Sequence, residues 1–298
     1  MSKQTTKPKK IPTGCLALDK VMNGGVPLGS PCGFYGVQNI GKSILCTQVA
    51  AKFAQAGYDV IYLDTEAFYQ IEEDFDRIYG WFDKRWSLGP EVKKRIEVKQ
   101  IRDLFALGRY FGVEIQITQE ENRISAMAKF PKKWGDKPTK ETQQTQDWIT
   151  YAPVYKDLTA LKNPGLIVLD SITVPLKSKI SSTTQNFPGR ASLIQTLLDI
   201  ALVLSNEFNI AFLLTNHGTK NPMAYAVQPW GGANMIYYVK RWIGIMDGLK
   251  EDRELYGDQL RRLYRFRWPG FQETMEKAML SKDTGYIDIG KDVGSVTL

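Results

Sequence analysis

Residues 36–43 of the chain read GVQNIGKS, which fits the spacing G-x4-G-K-[ST] at every fixed position. The apolar run Pro31–Tyr35 precedes this stretch, and Lys42–Gln55 follows it with Leu45 and Val49 at helical spacing. Such a pattern predicts a strand, a glycine-rich turn and a helix in that order, because glycine lets the backbone fold around an anion that the helix N-terminus faces. The sequence therefore predicts an α/β fold with a phosphate site at the end of a strand.

A nucleotide is expected to contact the whole turn and the residue after it. Lys42 is expected to reach the β- and γ-phosphates of ATP, and the Ser43 hydroxyl to ligate Mg²⁺. A chance glycine-rich turn is the alternative, but the strand before it and the helix after it argue against this. ATP and Mg²⁺ are thus the expected cofactors. The expected nucleotide-binding residues of this segment are Gly36, Val37, Gln38, Asn39, Ile40, Gly41, Lys42, Ser43 and Ile44.

Acidic residues follow two further apolar runs. Asp170 comes directly after Leu166–Leu169 and is placed to hold the metal ion through water. After Asp59–Leu63, Glu66 is the better candidate for the base that orients and deprotonates the attacking water. Asp64 is expected to be either a structural acid or one that supports the residues in contact with the ligand. The alternative for this second segment is a capping Asp/Thr pair beside a solvent-facing Glu.

The rest of the chain alternates apolar and helical patterns. Ile210–Leu214 is predicted to be a buried strand, and Ala191–Phe208 the helix before it. Tyr237–Met246 and Leu260–Trp268 are predicted as antiparallel strands, with residues 257–258 in the turn region between them. The expected fold is a mostly parallel central sheet flanked by helices, with antiparallel strands on its C-terminal side.

We expect one domain over residues 11–298, after a basic tail at 1–10. A polar interval at about 114–162, rich in Gln, Lys and Thr, is expected as an insertion. Two connections, 175–190 and 218–230, are predicted as loops longer than the roughly 2–6 residues usual in such a sheet.

An ordered set of motifs resembles the ATPase core of the RecA/RadA/Rad51 recombinase family. The resemblance runs from about residue 11 to 113 and resumes from about 163 to 288. It implies a RecA-like P-loop ATPase core. The motifs are Ile11-Pro12-Thr13-Gly14, Leu18-Asp19, Gly24-Gly25, the phosphate loop, LDTE at 63–66, LIVLDS at 166–171, PGR at 188–190, LLTNH at 213–217 and WGGANMIYY at 230–238.

The resemblance also implies roles for particular positions. Lys42 and Glu66 are expected to be catalytic, and Asn216 to sense the γ-phosphate from the end of a central strand. The loops Lys177–Pro188 and His217–Trp230 correspond to those with which the family grips DNA.

Several positions depart from the family pattern. His217 stands where relatives usually carry Gln; it either relays the nucleotide state to the loop it opens or is a hydrogen-bonded structural residue. Arg77 is the only arginine where RadA-like proteins have a pair, so Tyr69 and Arg77 are both candidates for the adenine contact. Arg265 and Arg267 either reach a neighbouring subunit's ATP or are solvated surface residues.

Positive charge suggests an anionic partner. The chain has a net charge of +7, and residues 129–140 place five lysines beside Phe130 and Trp134. Lysines suit phosphates and aromatic rings suit unpaired bases, so this segment could bind single-stranded DNA; a solvated charge run is the alternative.

Composition also indicates a compartment. The apolar runs are too short to span a bilayer, and Met1–Lys10 has no secretory signal pattern. Cys15, Cys32 and Cys46 are odd in number and lack metal-ligand spacing, which predicts a reducing, cytoplasmic setting.

The expected function is that of an ATP-dependent, DNA-binding recombinase paralog in homologous recombination or repair. It is expected to be a core-only, RadA-like paralog, because only about ten residues precede the core. Hydrolysis is expected to be slow and modulated by DNA. Single-stranded DNA, a RadA/RecA-type recombinase and weak or ATP-dependent self-association are the expected interactions. The alternatives are a nucleotide-binding mediator that assists a recombinase without gripping DNA, and a ring-forming RecA-type motor.

Overall fold

The structure is a computed structural model, and it describes most of the chain. The segments it leaves out include most of the basic tail and of the lysine-rich stretch 129–140, so the predictions for both fall outside the described residues. The described residues are 10–69, 72–120, 123–129, 148–180, 187–220, 227–267, 275–281 and 283–289.

The described strands build one large sheet and two small ones. In chain order they are β1 (Lys10–Ile11), β2 (Val26–Pro27), β3 (Ser30–Gly36), β4 (Asp59–Asp64), β5 (Ile96–Gln100), β6 (Glu114–Glu120), β7 (Arg123–Lys129), β8 (Pro164–Asp170), β9 (Ala211–Lys220), β10 (Val227–Pro229), β11 (Trp242–Asp247), β12 (Leu260–Arg267), β13 (Met275–Ser281) and β14 (Gly285–Asp288).

The large sheet has the order β14-β13-β12-β11-β3-β9-β8-β4-β5, with β10 beside β9. The strands from β11 to β5 in that order are parallel, whereas β11 to β14 pair antiparallel in chain order. This confirms the predicted mixed sheet with antiparallel C-terminal strands. The register sets Gly36 beside His217 and Asp64 beside Asp170, so the carboxyl ends of β3, β9, β8 and β4 lie along one edge.

Helices cover both faces of the large sheet. Alternate residues along each strand point to opposite faces: Tyr62 packs in the core formed with α1, α2 and α3, and Leu63 in the core formed with α5 to α9. The described helices are α1 (Leu16–Val21), α2 (Lys42–Gln55), α3 (Glu72–Trp86), α4 (Pro90–Lys93), α5 (Leu104–Tyr110), α6 (Pro153–Ala160), α7 (Thr173–Lys179), α8 (Phe187–Glu207), α9 (Gly232–Tyr238) and α10 (Lys250–Tyr256).

The strand predicted at Tyr237–Met246 is wrong in its first half. Residues 232–238 form α9, and only Trp242–Asp247 is a strand. Gly231 has φ = 111° at the start of this helix, a left-handed conformation that glycine adopts without steric cost. The β-favouring run of tyrosines is therefore held in a helix by its flanking glycine and by the burial of Met235.

The predicted turn between β11 and β12 contains more structure than expected. The charged segment Lys250–Tyr256 forms α10, a helix with no buried residue, which ends at Gly257. Its many charged residues suit an exposed helix and carry no apolar periodicity, which is why the pattern did not indicate it.

The polar interval 114–162 and the two long connections also hold regular structure. The interval contains the β6–β7 hairpin, a short 3₁₀ helix at Trp148–Tyr151, and α6. In the connections, α7 occupies the start of the first, and β9 extends to Lys220, where it pairs with β10. Residues 181–186 and 221–226 of these connections lie outside the described residues.

Within the described part of the chain, no helix combines the length and apolar character required to cross a membrane.

Candidate active site

The phosphate loop joins the end of β3 to the start of α2. Val37, Gln38 and Asn39 are exposed at its tip, and Gly41 takes φ = 103° immediately before the helix. A Cβ atom at Gly36 would lie 2.5 Å from the Ile245 carbonyl oxygen, so this position has no room for a side chain. The loop thus brings the unpaired N–H groups of a 14-residue helix to the sheet edge, which is an anion-binding arrangement.

Lys42 is buried beneath this loop. Its Nζ donates hydrogen bonds to the carbonyl oxygens of Val37 at 2.8 Å and Gly36 at 3.3 Å. Burial lowers the pKa of Lys42, while the charges of Glu66 and Asp170 act in the opposite direction. The ammonium group therefore lies beneath the loop and is influenced by the acids of the neighbouring strands, and its contact with the phosphates stays a prediction.

Asp170 and Ser43 lie together at the end of β8. The fully buried carboxylate of Asp170 accepts hydrogen bonds from Ser43, from Tyr62 at 2.8 Å and from Thr215 at 2.5 Å. Burial raises its pKa, the nearby charge of Glu66 raises it further, and the hydrogen bonds from its hydroxyl partners only partly oppose both. A divalent cation would offset this unfavourable burial of charge.

The oxygen donors of Ser43 and Asp170 fit Mg²⁺, which prefers oxygen ligands and keeps several waters. The described residues contain no group of three or more His, Cys, Asp or Glu side chains that could hold a metal ion. A magnesium ion at this place would therefore take its remaining ligands from water and phosphate oxygens.

Asp64 ends β4 and organises the turn that follows it. Its carboxylate accepts the backbone N–H groups of Glu66, Phe68 and Tyr69 at 3.1, 3.2 and 2.9 Å. Thr65 bridges to the neighbouring strand by hydrogen bonds with the backbone of Ser171. The expected structural role of Asp64 agrees with this geometry, and its turn sets the direction in which the next carboxylate leaves the sheet.

Glu66 is partly buried and is paired with the chain's one histidine. Its Oε1 lies 3.2 Å from His217 Nε2, and its side chain is 23% exposed, so it is not the solvent-facing residue of the alternative reading. Burial raises the pKa of Glu66, but hydrogen bonds with His217 and Ser171 and the charges of His217 and Lys42 outweigh it. The pKa of Glu66 consequently lies below its usual value.

Asn216 is fully buried in β9, beside Tyr35 of β3. Its Oδ1 accepts the Thr173 hydroxyl at 2.7 Å, and its Nδ2 donates to the Trp230 carbonyl at 2.8 Å. The described hydrogen bonds of this amide thus join the start of α7 to the end of the second long connection. They do not include a residue of the phosphate loop, and contact with the γ-phosphate stays a prediction.

His217 contacts the acid and both long connections. Its backbone N–H donates to the Thr173 hydroxyl at 3.1 Å, and its carbonyl accepts the Trp230 N–H at 2.9 Å. Its Nδ1 lies 3.5 Å from the Nζ atom of Lys177. A single residue therefore links Glu66 to the segments predicted to grip DNA.

Two cations lie over the ring of Trp230, an arrangement that the sequence did not predict. Arg190 lies 4.7 Å and Lys177 5.1 Å from the ring centroid, distances suited to cation–π attraction. Arg190 belongs to the PGR motif and Trp230 to the WGG motif, so both were visible as motif residues. The pattern did not show that they meet, because they are 40 positions apart in the sequence.

Neither candidate for the adenine contact has contacts that support the role. The ring of Tyr69 is buried against Tyr62 and Phe75, and its hydroxyl contacts Thr47. A side chain packed in this way has no face open to a base, so the prediction for Tyr69 is wrong. Arg77 is exposed on α3 and pairs with Asp74 at 3.4 Å; its contact with a nucleotide stays a prediction.

Arg265 does not occupy the surface position that either expectation required. It is 7% exposed, and it donates hydrogen bonds to the carbonyl oxygens of Val21 and Lys20 at the C-terminus of α1. Arg267 donates to the Ile236 carbonyl at 3.1 Å. Because burial fixes Arg265 inside its own chain, we correct the expectation that it reaches a neighbouring subunit or is solvated.

Comparison with known proteins relates the chain to recombinases. No known protein-family model matches it. It is 37% identical over 74 residues to "DNA repair and recombination protein RadB" of Methanoculleus marisnigri, which is 25% of this chain and 32% of that protein. It is 41% identical over 56 residues to a protein of the same name from Halobacterium salinarum, 19% of this chain and 24% of that protein.

A longer match extends across most of the chain. It is 32% identical over 252 residues to "DNA repair protein RAD51 homolog 3" of Cricetulus griseus, covering 78% of this chain and 60% of that protein. Each of these matches spans less than two thirds of the relative's length. At this identity the similarity supports a relationship to the RecA/Rad51 family and nothing finer.

Proposed function

We propose that the chain is a RecA/Rad51-family ATPase that acts as a DNA-binding recombinase paralog in homologous recombination or repair. The names of its relatives support the process. The observation that carries the mechanism is the position of His217, which pairs with Glu66 on one side and contacts both long connections on the other. ATP binding would then control how those connections grip DNA.

The nucleotide is proposed to bind with its phosphates in the loop of residues 36–43. Lys42 supplies positive charge to the phosphates, and the first N–H groups of α2 supply hydrogen bonds. Ser43 and Asp170 would hold magnesium, which when bound would neutralise charge on the phosphate oxygens. Arg77 is kept as the proposed adenine contact.

Glu66 is proposed to be the general base. Its lowered pKa keeps the carboxylate ionised at neutral pH, which a proton acceptor requires. In the structure, His217 Nε2 lies within hydrogen-bonding distance of one carboxylate oxygen of Glu66. We infer that a water beside the γ-phosphate competes with His217 for this carboxylate, so that hydrolysis and the histidine's position depend on each other.

The effect on the DNA-gripping segments follows from the other contacts of His217. Its backbone bonds Thr173 and Trp230, and its ring lies beside Lys177, so a change at Glu66 alters three contacts at once. Asn216 joins the same Thr173 and Trp230, and therefore fixes the two connections relative to each other.

Single-stranded DNA is the proposed partner, bound by residues 177–188 and 217–230 and by the lysine-rich segment 129–140. Lys177 and Arg190 bring two cations to Trp230 beside the first two segments, which suits a phosphate backbone. Self-association is proposed to be weak or dependent on ATP, and a RadA/RecA-type recombinase is the proposed protein partner.

The test measures the affinity for a fluorescent single strand with ATP and with ADP, for wild type, His217→Ala and His217→Gln. Wild type is expected to bind more tightly in one nucleotide state. His217→Ala is expected to keep ATP binding but lose this dependence, while His217→Gln, which retains a hydrogen-bonding side chain, keeps part of it. A wild-type protein that binds ATP but no DNA in either state would contradict the proposal and favour a mediator.

A further inference from the structure

The back of the phosphate loop rests on the C-terminal strands. The Ile40 carbonyl oxygen accepts two hydrogen bonds, one from the Tyr286 hydroxyl at 3.1 Å and one from Arg261 Nε at 3.2 Å. A Cβ atom at Gly41 would lie 2.8 Å from the Tyr286 hydroxyl and 2.5 Å from Leu280 Cδ2. Strands β12, β13 and β14 therefore contact the loop directly at the peptide bond before α2.

The orientation of that peptide bond matters for the anion. The Ile40–Gly41 peptide is trans: among the described residues, the cis peptide bond is Asp170–Ser171. In a planar trans peptide the C=O and N–H groups point in opposite directions. With the carbonyl of Ile40 held towards β12 and β14, the Gly41 N–H points away from these strands.

Tyr286 is itself fixed in place. Its backbone N–H donates to Gln48 Oε1 at 2.7 Å, and its carbonyl accepts from Gln48 Nε2 at 3.1 Å and from Arg85 at 2.9 Å. Burial raises the pKa of its hydroxyl, so the hydroxyl keeps the proton that it donates. Because Gln48 is on α2, the strand that holds the loop is tied to the helix that the loop begins.

Arg261 is also restrained. It is 13% exposed, and its Nη1 donates to the Asp258 carbonyl at 2.7 Å and lies 3.5 Å from Asp247. These bonds leave Nε directed at the Ile40 carbonyl. Two donors on one buried carbonyl satisfy both of its lone pairs, which makes rotation of this peptide costly.

We propose that Tyr286 and Arg261 are positioning residues for nucleotide binding, which hold the Ile40 carbonyl so that the Gly41 N–H faces the phosphates. The inference rests on the proposed function, because it assumes that the loop binds a nucleotide. It assigns the antiparallel C-terminal strands a part in the phosphate site, although neither side chain touches the nucleotide.

The test compares the binding of MgADP by calorimetry in Tyr286→Phe and in wild type. The variant keeps the ring and removes one hydroxyl, and we expect affinity to fall by about threefold to tenfold, the scale of one hydrogen bond. KM for ATP is expected to rise by a similar factor with kcat little changed, because the contact serves bound substrate and transition state alike.

The matched control is Tyr110→Phe. The Tyr110 hydroxyl donates to Asp157 at 2.8 Å on the opposite face of the sheet, so its loss is expected to lower thermal stability without changing MgADP affinity. Tyr286→Phe binding MgADP within twofold of wild type would overturn the inference.

A second pair of variants keeps the test decisive if Tyr286→Phe does not fold. Arg261→Lys removes the Nε donor and keeps the charge, and is expected to weaken MgADP binding. Its control is Arg262→Lys on the same strand, whose Nε donates to the Asp247 carbonyl instead. Equal affinity for MgADP in both lysine variants would contradict the inference.

Failure of the proposed function gives a different result, in which wild type does not bind MgADP or Lys42→Ala binds it normally.

Discussion

Two carboxylates at the ends of neighbouring strands have pKa shifts of opposite sign. Burial raises the pKa of both. For Glu66 it is outweighed by hydrogen bonds with His217 and Ser171 and by nearby positive charge, whereas for Asp170 the hydrogen bonds from its own hydroxyl partners do not outweigh it. Different environments of this kind let two like groups take different roles. The ionised Glu66 suits a base, and the buried Asp170 suits a site where a cation offsets its charge.

Glu66→Gln is expected to separate binding from hydrolysis. The amide keeps the size of the side chain and can still contact His217, but it cannot accept a proton from water. Turnover is expected to fall by roughly 10²-fold or more, the scale of a general base, with ATP affinity retained. Single-turnover hydrolysis and calorimetry measure the two quantities, and unchanged turnover would exclude Glu66 as the base.

The pH dependence follows from the same carboxylate. Because its folded-state pKa is lowered, Glu66 stays ionised until the pH falls through that lowered value, and its contribution to stability is lost over the same range. His217→Ala removes a hydrogen bond that lowers this pKa, so the acid limb of the pH–rate profile is expected to move to higher pH. An acid limb at the same pH in wild type and in His217→Ala would show that the Glu66–His217 pair is not formed.

At the scale of elements, the sequence predicted the parallel strands well and the irregular segments poorly. The runs that became β3, β4, β8 and β9 are continuously apolar because helices cover both faces, and such runs are easily recognised. By contrast, α9 depends on the positive φ of Gly231, and α10 has no buried face. Neither feature produces a regular spacing of apolar residues that would predict a helix from the sequence.

The segments proposed to bind DNA give a prediction about salt. The affinity for single-stranded DNA is expected to fall with salt concentration, with a log–log slope of roughly 0.7 for each phosphate contacted. Replacing Lys132, Lys133 and Lys137 together removes three cations of the segment 129–140 and is expected to flatten the slope. An unchanged slope in a titration by fluorescence anisotropy would confine DNA contact to the two long connections or exclude it.

At the scale of the whole molecule, residues far apart in sequence meet in ways that no local pattern indicates. Glu66 and His217 are 151 positions apart, and Tyr286 lies 246 positions from Ile40. The phosphate loop and the acids could be predicted because each has its own motif at a strand end. Their partners could not, since only the folded register brings them together.

Arg265 gives a whole-molecule prediction that differs from the one its sequence suggested. It ties β12 to the C-terminus of α1. Arg265→Ala removes these bonds from the carbonyl oxygens of Val21, which is buried, and of Lys20, and is expected to lower the free energy of unfolding by about 2 kcal/mol. Chemical denaturation measures this. When Arg265→Ala protein is mixed with Lys42→Ala protein, turnover is not expected to rise above that of the two proteins measured separately. A rise in the mixture would show that Arg265 acts across a subunit interface.

The proposed function requires that DNA contact and ATP hydrolysis be coupled through His217. The most direct test is the ATPase rate of wild type and His217→Ala, each with and without saturating single-stranded DNA. DNA is expected to change the wild-type rate and to leave the His217→Ala rate unchanged, although both proteins bind ATP. A wild-type rate unaffected by bound DNA, or an equal DNA effect in both proteins, would contradict the claim.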